Sequence, residues 1–315
     1  HLAGEMERLR QAGVKISPEN LKISDKAIIC MPYNVAQDCL EEDRLADAKF
    51  GSTRRGIGPI YGDKYLKKAL RMGDLLQRDY LQQRLKGILE WKNLTIENVY
   101  HSQPFEFEEM MQWLDTYGAP LIPYIGDTGN YLRQAEAAGK RIMFEAQLGA
   151  LRDIDFGIYP FTSSSSTIAA YAPVGAGVPN LKLDRVIGVI KAYSSCVGEG
   201  PFTVELFGEE AEALRAAGNE YGAATGRPRR VGPFDIVASR YGVLMQGASE
   251  LALTKMDVLS YLDQIPVCVA YDVEGEKIDY FPIGDKLNKA KPVIEYLPGW
   301  KCDISGVPPF SSSLL

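Results

Sequence analysis

The sequence has two histidines among its 315 residues, five cysteines and no Cys-x-x-Cys pair. His1 begins the chain and His101 stands alone. Neither falls in a Ser/His/Asp or metal-ligand spacing, so hydrolase triads and zinc chemistry find no support. Cys30, Cys39, Cys196, Cys268 and Cys302 are odd in number and widely spaced. That pattern favours reduced thiols in a cytosolic protein over a disulfide framework. No apolar run approaches the length of a membrane span, and no signal-peptide pattern opens the chain. A Walker-type Gly-x-x-x-x-Gly-Lys-[Ser/Thr] and internal repeats are also absent. Positive charge is scarce overall. A net charge of −6 argues against a nucleic-acid partner, which usually meets a basic face.

What remains is an ordinary globular composition, 46% hydrophobic and 24% charged, long enough for one large domain or two smaller ones. Leu2 to Gln11 reads as an amphipathic helix, Ala27 to Met31 as a short buried strand, and Val35 to Leu45 as a helix. Residues 61–138 are mostly helical by pattern and read as a helical subdomain within a single α/β domain. Arg141 to Glu145 is expected to return to the sheet. A long stretch at 149–180, rich in Gly, Ser, Pro and Ala, reads as a functional loop. Arg185 to Tyr193 is strand-like; helices are expected at Glu209 to Ala217 and Phe234 to Met245, and strands at 250–254, 266–272 and 277–281. Alternating strands and helices predict an α/β fold with its site along the strand ends. Both ends of the chain read as those of a fragment.

On an acidic chain the local basic clusters carry more information. Gly51 to Pro59 holds three glycines, two hydroxyls and two arginines, a combination suited to wrapping a phosphate. Its bland alternative, a surface turn with solvated arginines, is favoured for a Gly-rich loop taken alone. Lys64, Lys67, Lys68 and Arg71 are spaced to share one helix face, either a solvated basic face or a phosphate contact. Glu145, Asp153 and Asp155 are more readily turn caps than acid–base groups or metal ligands, whereas Gln147 is placed for a base or ribose contact. The hydroxyl run Thr162 to Thr167 can be a linker or a phosphate cradle, its ends anchored by aromatics. Gly222-Ala223-Ala224-Thr225-Gly226 ends in Arg227, Arg229 and Arg230, a loop that lets backbone N–H groups and guanidinium forks approach an anion. Thr254-Lys255-Met256-Asp257 follows an apolar run, Leu251 to Leu253, that reads as a buried strand. A carboxylate there can accept the N1–H and 2-amino hydrogens of guanine. Together these segments point to a purine nucleotide and a small anion.

Read jointly, the motifs resemble the adenylosuccinate synthetase family along nearly the whole chain. The resemblance is carried by Thr53 to Pro59 with Tyr61, Asp63 and Lys64; by Phe144-Glu145; and by Asp153 to Asp155 with Tyr159-Pro160. It continues through Lys191 to Ser194, Val197-Gly198, Gly200 to Phe202, Gly218 to Gly222, Thr225 to Arg227, and Leu253 to Lys255 with Asp257 to Leu259. The resemblance implies a GTP- and magnesium-dependent condensation of inosine monophosphate (IMP) with L-aspartate through a 6-phosphoryl-IMP intermediate. It also implies a large, mostly parallel sheet of P-loop-NTPase-like type, a homodimer and a cytoplasmic setting. Thr53, Lys67, Gln147, Ser163 and Arg227 are the implied IMP contacts, with Lys67 reaching a partner subunit's IMP. Ala224 to Arg227 together with Arg229 would form the aspartate loop; Arg229, Lys255 and Asp257 would meet GTP. No catalytic residue is assigned. The family's catalytic Asp and His, its phosphate loop and the magnesium ligands are expected upstream of this chain, and a guanine-touching segment downstream. The fragment is therefore expected to be inactive alone.

The chain departs from the family pattern in several places. Arg54 stands for a Gly, Lys67 for an Arg with loss of a bidentate fork, and Cys196 for an Arg, while Pro228 interrupts the arginine run. The family's Glu-Gly-Ala-Gln-Gly reads Glu145-Ala146-Gln147-Leu148-Gly149, which displaces the glutamine by one position. Two alternatives follow from these changes: the same ligation on a different purine monophosphate, or a nucleotide-binding paralogue without catalysis.

Overall fold

The computed structural model describes residues 1–222, 226–304 and 306–307. The chain divides into two compact units, His1–Glu145 with Pro173–Leu181, and Ala146–Ala172 with Lys182–Leu315.

The first unit is helical. Helices Leu2–Gln11, Pro32–Leu45, Arg78–Asn98, Phe107–Tyr117 and Thr128–Ala137 supply most of it. Pro32 opens its helix, where a missing N–H does no harm, and the Asp127 carboxylate accepts the Asn130 N–H (3.0 Å) to cap the last of them. Met31, Tyr33, Leu70, Leu85 and Leu114 form the core of this unit. Each such side chain is worth about 1.5–3 kcal/mol when fully buried. Ile23–Ser24 pairs in parallel with Ile125–Gly126.

The second unit is mixed. Its longest strand, Gln264–Val273, pairs antiparallel with Lys291–Pro298 and Glu276–Ile278, and parallel with Phe234–Asp235. The turn into Glu276–Ile278 has Glu274 and Gly275 at positive φ, the conformation a tight hairpin requires. Helix Ile236–Gln246 is capped by Asp235, which accepts the Ala238 N–H at 3.0 Å. Its other end closes on Gly247 in the left-handed region. A separate parallel pair joins Ile187–Lys191 to Glu250–Thr254, with Lys191 opposite Thr254. Helix Gly208–Gly218 lies in sequence between the two strands of an antiparallel pair, Ser194–Cys196 with Arg230–Gly232.

Several expectations change. Among the described residues the strands fall into four small sheets, not one large parallel sheet. Ala27 to Met31 makes no strand; only Ile28 forms an isolated bridge, with Arg71. Met31, Tyr33 and their neighbours are buried by helices instead, because a short apolar run does not distinguish strand from buried coil. Arg141 to Glu145 has no regular structure and is largely exposed. The helix after the Gly-rich loop ends at Tyr65, so Lys67, Lys68 and Arg71 lie beyond it and share no helix face with Lys64. Glu250–Thr254 is a strand, but Leu253 is 47% exposed, so the apolar run is not buried.

Candidate functional site

In the first unit the Gly-rich loop is held from below by two acids of helix Pro32–Leu45. The Glu42 carboxylate accepts N–H groups from Phe50 (3.2 Å), Gly51 (3.1 Å) and Ser52 (3.1 Å). Asp38 accepts the Gly56 N–H at 2.8 Å. Gly56 has φ 78°, and a Cβ there would lie 2.9 Å from Asn34 C and Val35 N, so only glycine lets the loop approach this helix. Thr53 is exposed at the crest. Arg54 pairs with Asp43 at 2.6 Å, which engages the residue that departs from the family's Gly. Lys67 is exposed with φ 60°. Behind the loop, Asp63 and Lys92 form an ion pair at 2.6 Å with both side chains 4% exposed. Asn34 Nδ2 donates to Asp63 at 2.7 Å, and Lys92 donates to Gln37 at 2.8 Å.

In the second unit the arginine loop rises from Glu220. Tyr221 bridges Pro228, and Gly222 N–H donates to the Arg227 carbonyl at 2.8 Å. Gly226 N–H donates to Gly222 at 2.7 Å. Ala224 and Thr225 lie outside the described residues. Arg227 is exposed and reaches Glu199 at 3.4 Å. Arg229 Nη1 donates to Glu220 Oε2 at 2.8 Å. Glu220 Oε1 accepts from Lys191 Nζ at 2.6 Å and from the Tyr193 hydroxyl. Burial raises the Glu220 carboxyl pKa, but donors from Lys191, Tyr193 and Arg229 outweigh it and hold the group below its ordinary range. Burial, with Glu220 beside it, pushes the Tyr193 phenol well above its ordinary value.

Lys255 and Asp257 meet this cluster from the other strand. Lys255 Nζ donates to the Gly218 carbonyl at 3.3 Å. A Cβ on Gly218 would sit 2.5 Å from the Tyr193 hydroxyl, so the contact between that ring and the helix end requires glycine. Asp257 is close enough for its charge to contribute to the Tyr193 shift. It also lines an open groove of about 600 Å³ with Ser260, Tyr261 and Lys301. Arg229 and Lys255 thus both reach the Gly218–Glu220 segment, near the C-terminal ends of the parallel strands Ile187–Lys191 and Glu250–Thr254, whereas Arg227 lines a separate small cleft with Cys196, Gly198 and Arg230.

The long loop joins through Arg152. Its guanidinium donates to the carbonyls of Phe161 and Glu199 and to Val197 (3.0 Å), and contacts the Cys196 sulfur. Ser163 N–H donates to the Arg152 carbonyl at 2.8 Å, and its hydroxyl meets that of Ser165 at 3.2 Å. Asp153 is fully buried. One oxygen accepts the Asp155 and Phe156 N–H groups (2.9 and 3.0 Å), the other the Thr167 N–H (2.6 Å). Burial opposes its ionisation, yet these backbone donors together hold its pKa below normal. Asp153 is thus a loop organiser. Gln147 is exposed, and Leu148 beside it has φ 79°.

Sequence reasoning assigned no site role to Glu220, Arg152 or Glu42. Glu220 carried a signal: an acidic residue directly after a helix-ending Gly218-Asn219, at the foot of an arginine loop.

The sequence profile of the adenylosuccinate synthetase family matches residues 1–312. This chain belongs to the adenylosuccinate synthetase family. The fully ligated adenylosuccinate synthetase from Plasmodium falciparum superposes with TM-score 0.89 at 32% identity, over 98% of this chain and 73% of that one. A cyanophage S-2L succinoaminodeoxyadenylate synthetase, bound to dGMP and to dATP as an energy donor, matches at TM-score 0.45 and 18% identity. That match covers 75% of this chain and 58% of the phage protein, and the likeness is too slight to bear on function. The family is one of purine-biosynthetic ligases that join IMP and aspartate. No helix among the described residues is long and apolar enough to cross a membrane.

Proposed function

We propose that the full-length protein carrying this chain condenses IMP with L-aspartate at the expense of GTP. The reaction passes through 6-phosphoryl-IMP and yields adenylosuccinate. An amide-like oxygen is a poor leaving group; phosphorylation by GTP makes it a good one, and the aspartate amine then displaces phosphate. Here the protein's task is to position three anionic ligands and offset their charge.

On this reading Thr53 contacts the IMP phosphate, Gln147 and Ser163 are further IMP contacts, and Lys67 reaches the IMP of a second subunit in a homodimer. Arg227 contacts IMP and helps the loop, Ala224 to Gly226 with Arg229, hold aspartate. Arg229 also meets GTP, and Lys255 lies along the guanine whose edge Asp257 reads. The parallel pair belongs, on the same reading, to a larger P-loop-NTPase-like sheet, and the enzyme works in the cytoplasm. Magnesium would stabilise the GTP phosphates in such a reaction. Among the described residues, however, no group of three His, Cys, Asp or Glu side chains is placed to hold a metal ion, so no ligand is assigned to it.

The observation that carries this reading is the convergence of Arg229 and Lys255 on the Glu220–Gly218 segment. Steady-state assays of the full-length protein with IMP, GMP and their deoxy forms test it, following phosphate release and adenylosuccinate formation together. Turnover confined to IMP is expected. Arg227→Leu should lower kcat/KM for both IMP and aspartate by about 10²-fold, as loss of a charged, bidentate contact implies. Unchanged constants in that variant would overturn the loop assignment.

A further inference from the structure

Glu220 is 1% exposed although it lies at the base of a surface loop. Asn219 before it ends the helix in the left-handed conformation, which turns the chain and directs the following side chain inward. The Glu220 backbone N–H donates to the Arg215 carbonyl and the Glu220 carbonyl accepts the Arg229 N–H, both at 2.9 Å. Arg229 is thus gripped twice, through main chain and side chain. Arg229 Nε is buried with no acceptor among the described residues, so the bond from Nη1 to Glu220 fixes the fork.

The charge balance points to a ligand. A buried carboxylate with two cations beside it leaves one positive charge uncompensated. Glu220 faces two, Lys191 at 2.6 Å and Arg229 at 2.8 Å, so the trio keeps one net positive charge at the strand ends. An anion arriving there can neutralise it. Through its hydroxyl bond from Tyr193, Glu220 also supports the ring against which Gly218 packs, and the Gly218 carbonyl receives Lys255.

We propose that Glu220 is a positioning residue for GTP, holding the Arg229 fork toward the phosphates and, through Tyr193 and Gly218, setting the Lys255 stem for the base. The inference rests on the reading that Arg229 and Lys255 belong to the GTP site. A guanidinium offers five N–H donors, and Glu220 takes up one nitrogen of the fork, which leaves the side chain capable of further phosphate contacts. One buried group would then set the spacing between the two ends of the nucleotide.

Glu220→Gln in the full-length protein keeps the shape and removes the charge. The GTP KM should rise about 10- to 100-fold, the effect of losing a charge-assisted hydrogen bond, with kcat at saturating GTP and the IMP KM within about threefold. A merely structural role would lower thermal stability without this split. In an Arg229→Ala background, Glu220→Gln should change the GTP KM by less than about threefold, because the group it positions is gone. Additive effects, or an unchanged GTP KM in a folded Glu220→Gln protein, would overturn the proposal. If that variant fails to fold, Tyr193→Phe removes one bond to the carboxylate and should raise the GTP KM about three- to tenfold. No rise would be equally fatal. Calorimetric titration with GTP separates the two levels of inference. Wild-type protein that binds GTP more tightly than Glu220→Gln, yet does not consume IMP, would remove the proposed reaction and leave the positioning role standing.

Discussion

Replacing Lys92 with Met tests whether the buried Asp63–Lys92 pair holds the first unit together. The two charges are 2.6 Å apart, and both side chains are 4% exposed. At an effective dielectric of about 20, their attraction is roughly 6 kcal/mol. Desolvating both ions offsets most of that, so the pair adds little net stability over a well-packed apolar substitute. Removing one partner is different. Lys92→Met leaves Asp63 buried with a donor from the Asn34 amide but no cation, and an uncompensated buried charge costs about 3–5 kcal/mol. With a urea slope of about 2 kcal/mol/M, the midpoint should fall by about 1.5–2.5 M. Trp91 and Trp113 both lie in this unit, so tryptophan fluorescence during urea unfolding reports on it. The double variant Asp63→Asn/Lys92→Met should recover most of the loss, since neither ion is then stranded. A Lys92→Met protein within about 1 kcal/mol of wild type, or a double variant as unstable as the sum of the singles, would refute the account.

Two further outcomes follow. Gly56→Ala should weaken IMP binding and lower stability by about 1–3 kcal/mol, since it combines a left-handed φ with a Cβ 2.9 Å from two backbone atoms; an isothermal titration and a urea midpoint both unchanged would be the contrary result. The lowered carboxyl pKa values of Asp153 and Glu220 give stability that is present in full above the ordinary carboxylate range and is lost as pH falls through the lowered values. Asp153→Asn should therefore flatten the acid limb of a plot of urea midpoint against pH between about 7 and 3, and an equally steep limb would show that the backbone donors at Asp153 contribute nothing.

Elements with a strong local signal were legible in the sequence. Leu2–Gln11 has an amphipathic period and a following glycine, and it forms as expected. The strands around 187–191, 250–254 and 264–273, with the helices after 208 and 236, also emerge where β-branched runs and glycine stops placed them. Ala27 to Met31 did not, because Ile29 and Met31 are buried by helices from elsewhere in the chain, which composition cannot express. The helix beyond Gly56 was overextended: Lys64 to Arg71 has helical charge spacing, yet Lys67 adopts a positive φ that ends it. The arginine loop and the Lys-Asp pair were visible as motifs, but what joins them was not. Glu220 becomes meaningful only when Lys191, Tyr193 and Arg229, up to 38 residues apart in sequence, are seen to share its two oxygens.

At the anion site proposed for the Thr53 loop, acidity sits beneath the loop. Glu42 and Asp38 engage four main-chain amides that would otherwise be open to an incoming phosphate. Arg54 and Arg55 are engaged by Asp43 and His1, so the exposed Thr53 is what the crest offers a guest, and the scaffold beneath it is already set. Recognition there would resemble a key entering a cut lock more than clay taking an impression, with little conformational freedom still to surrender on arrival.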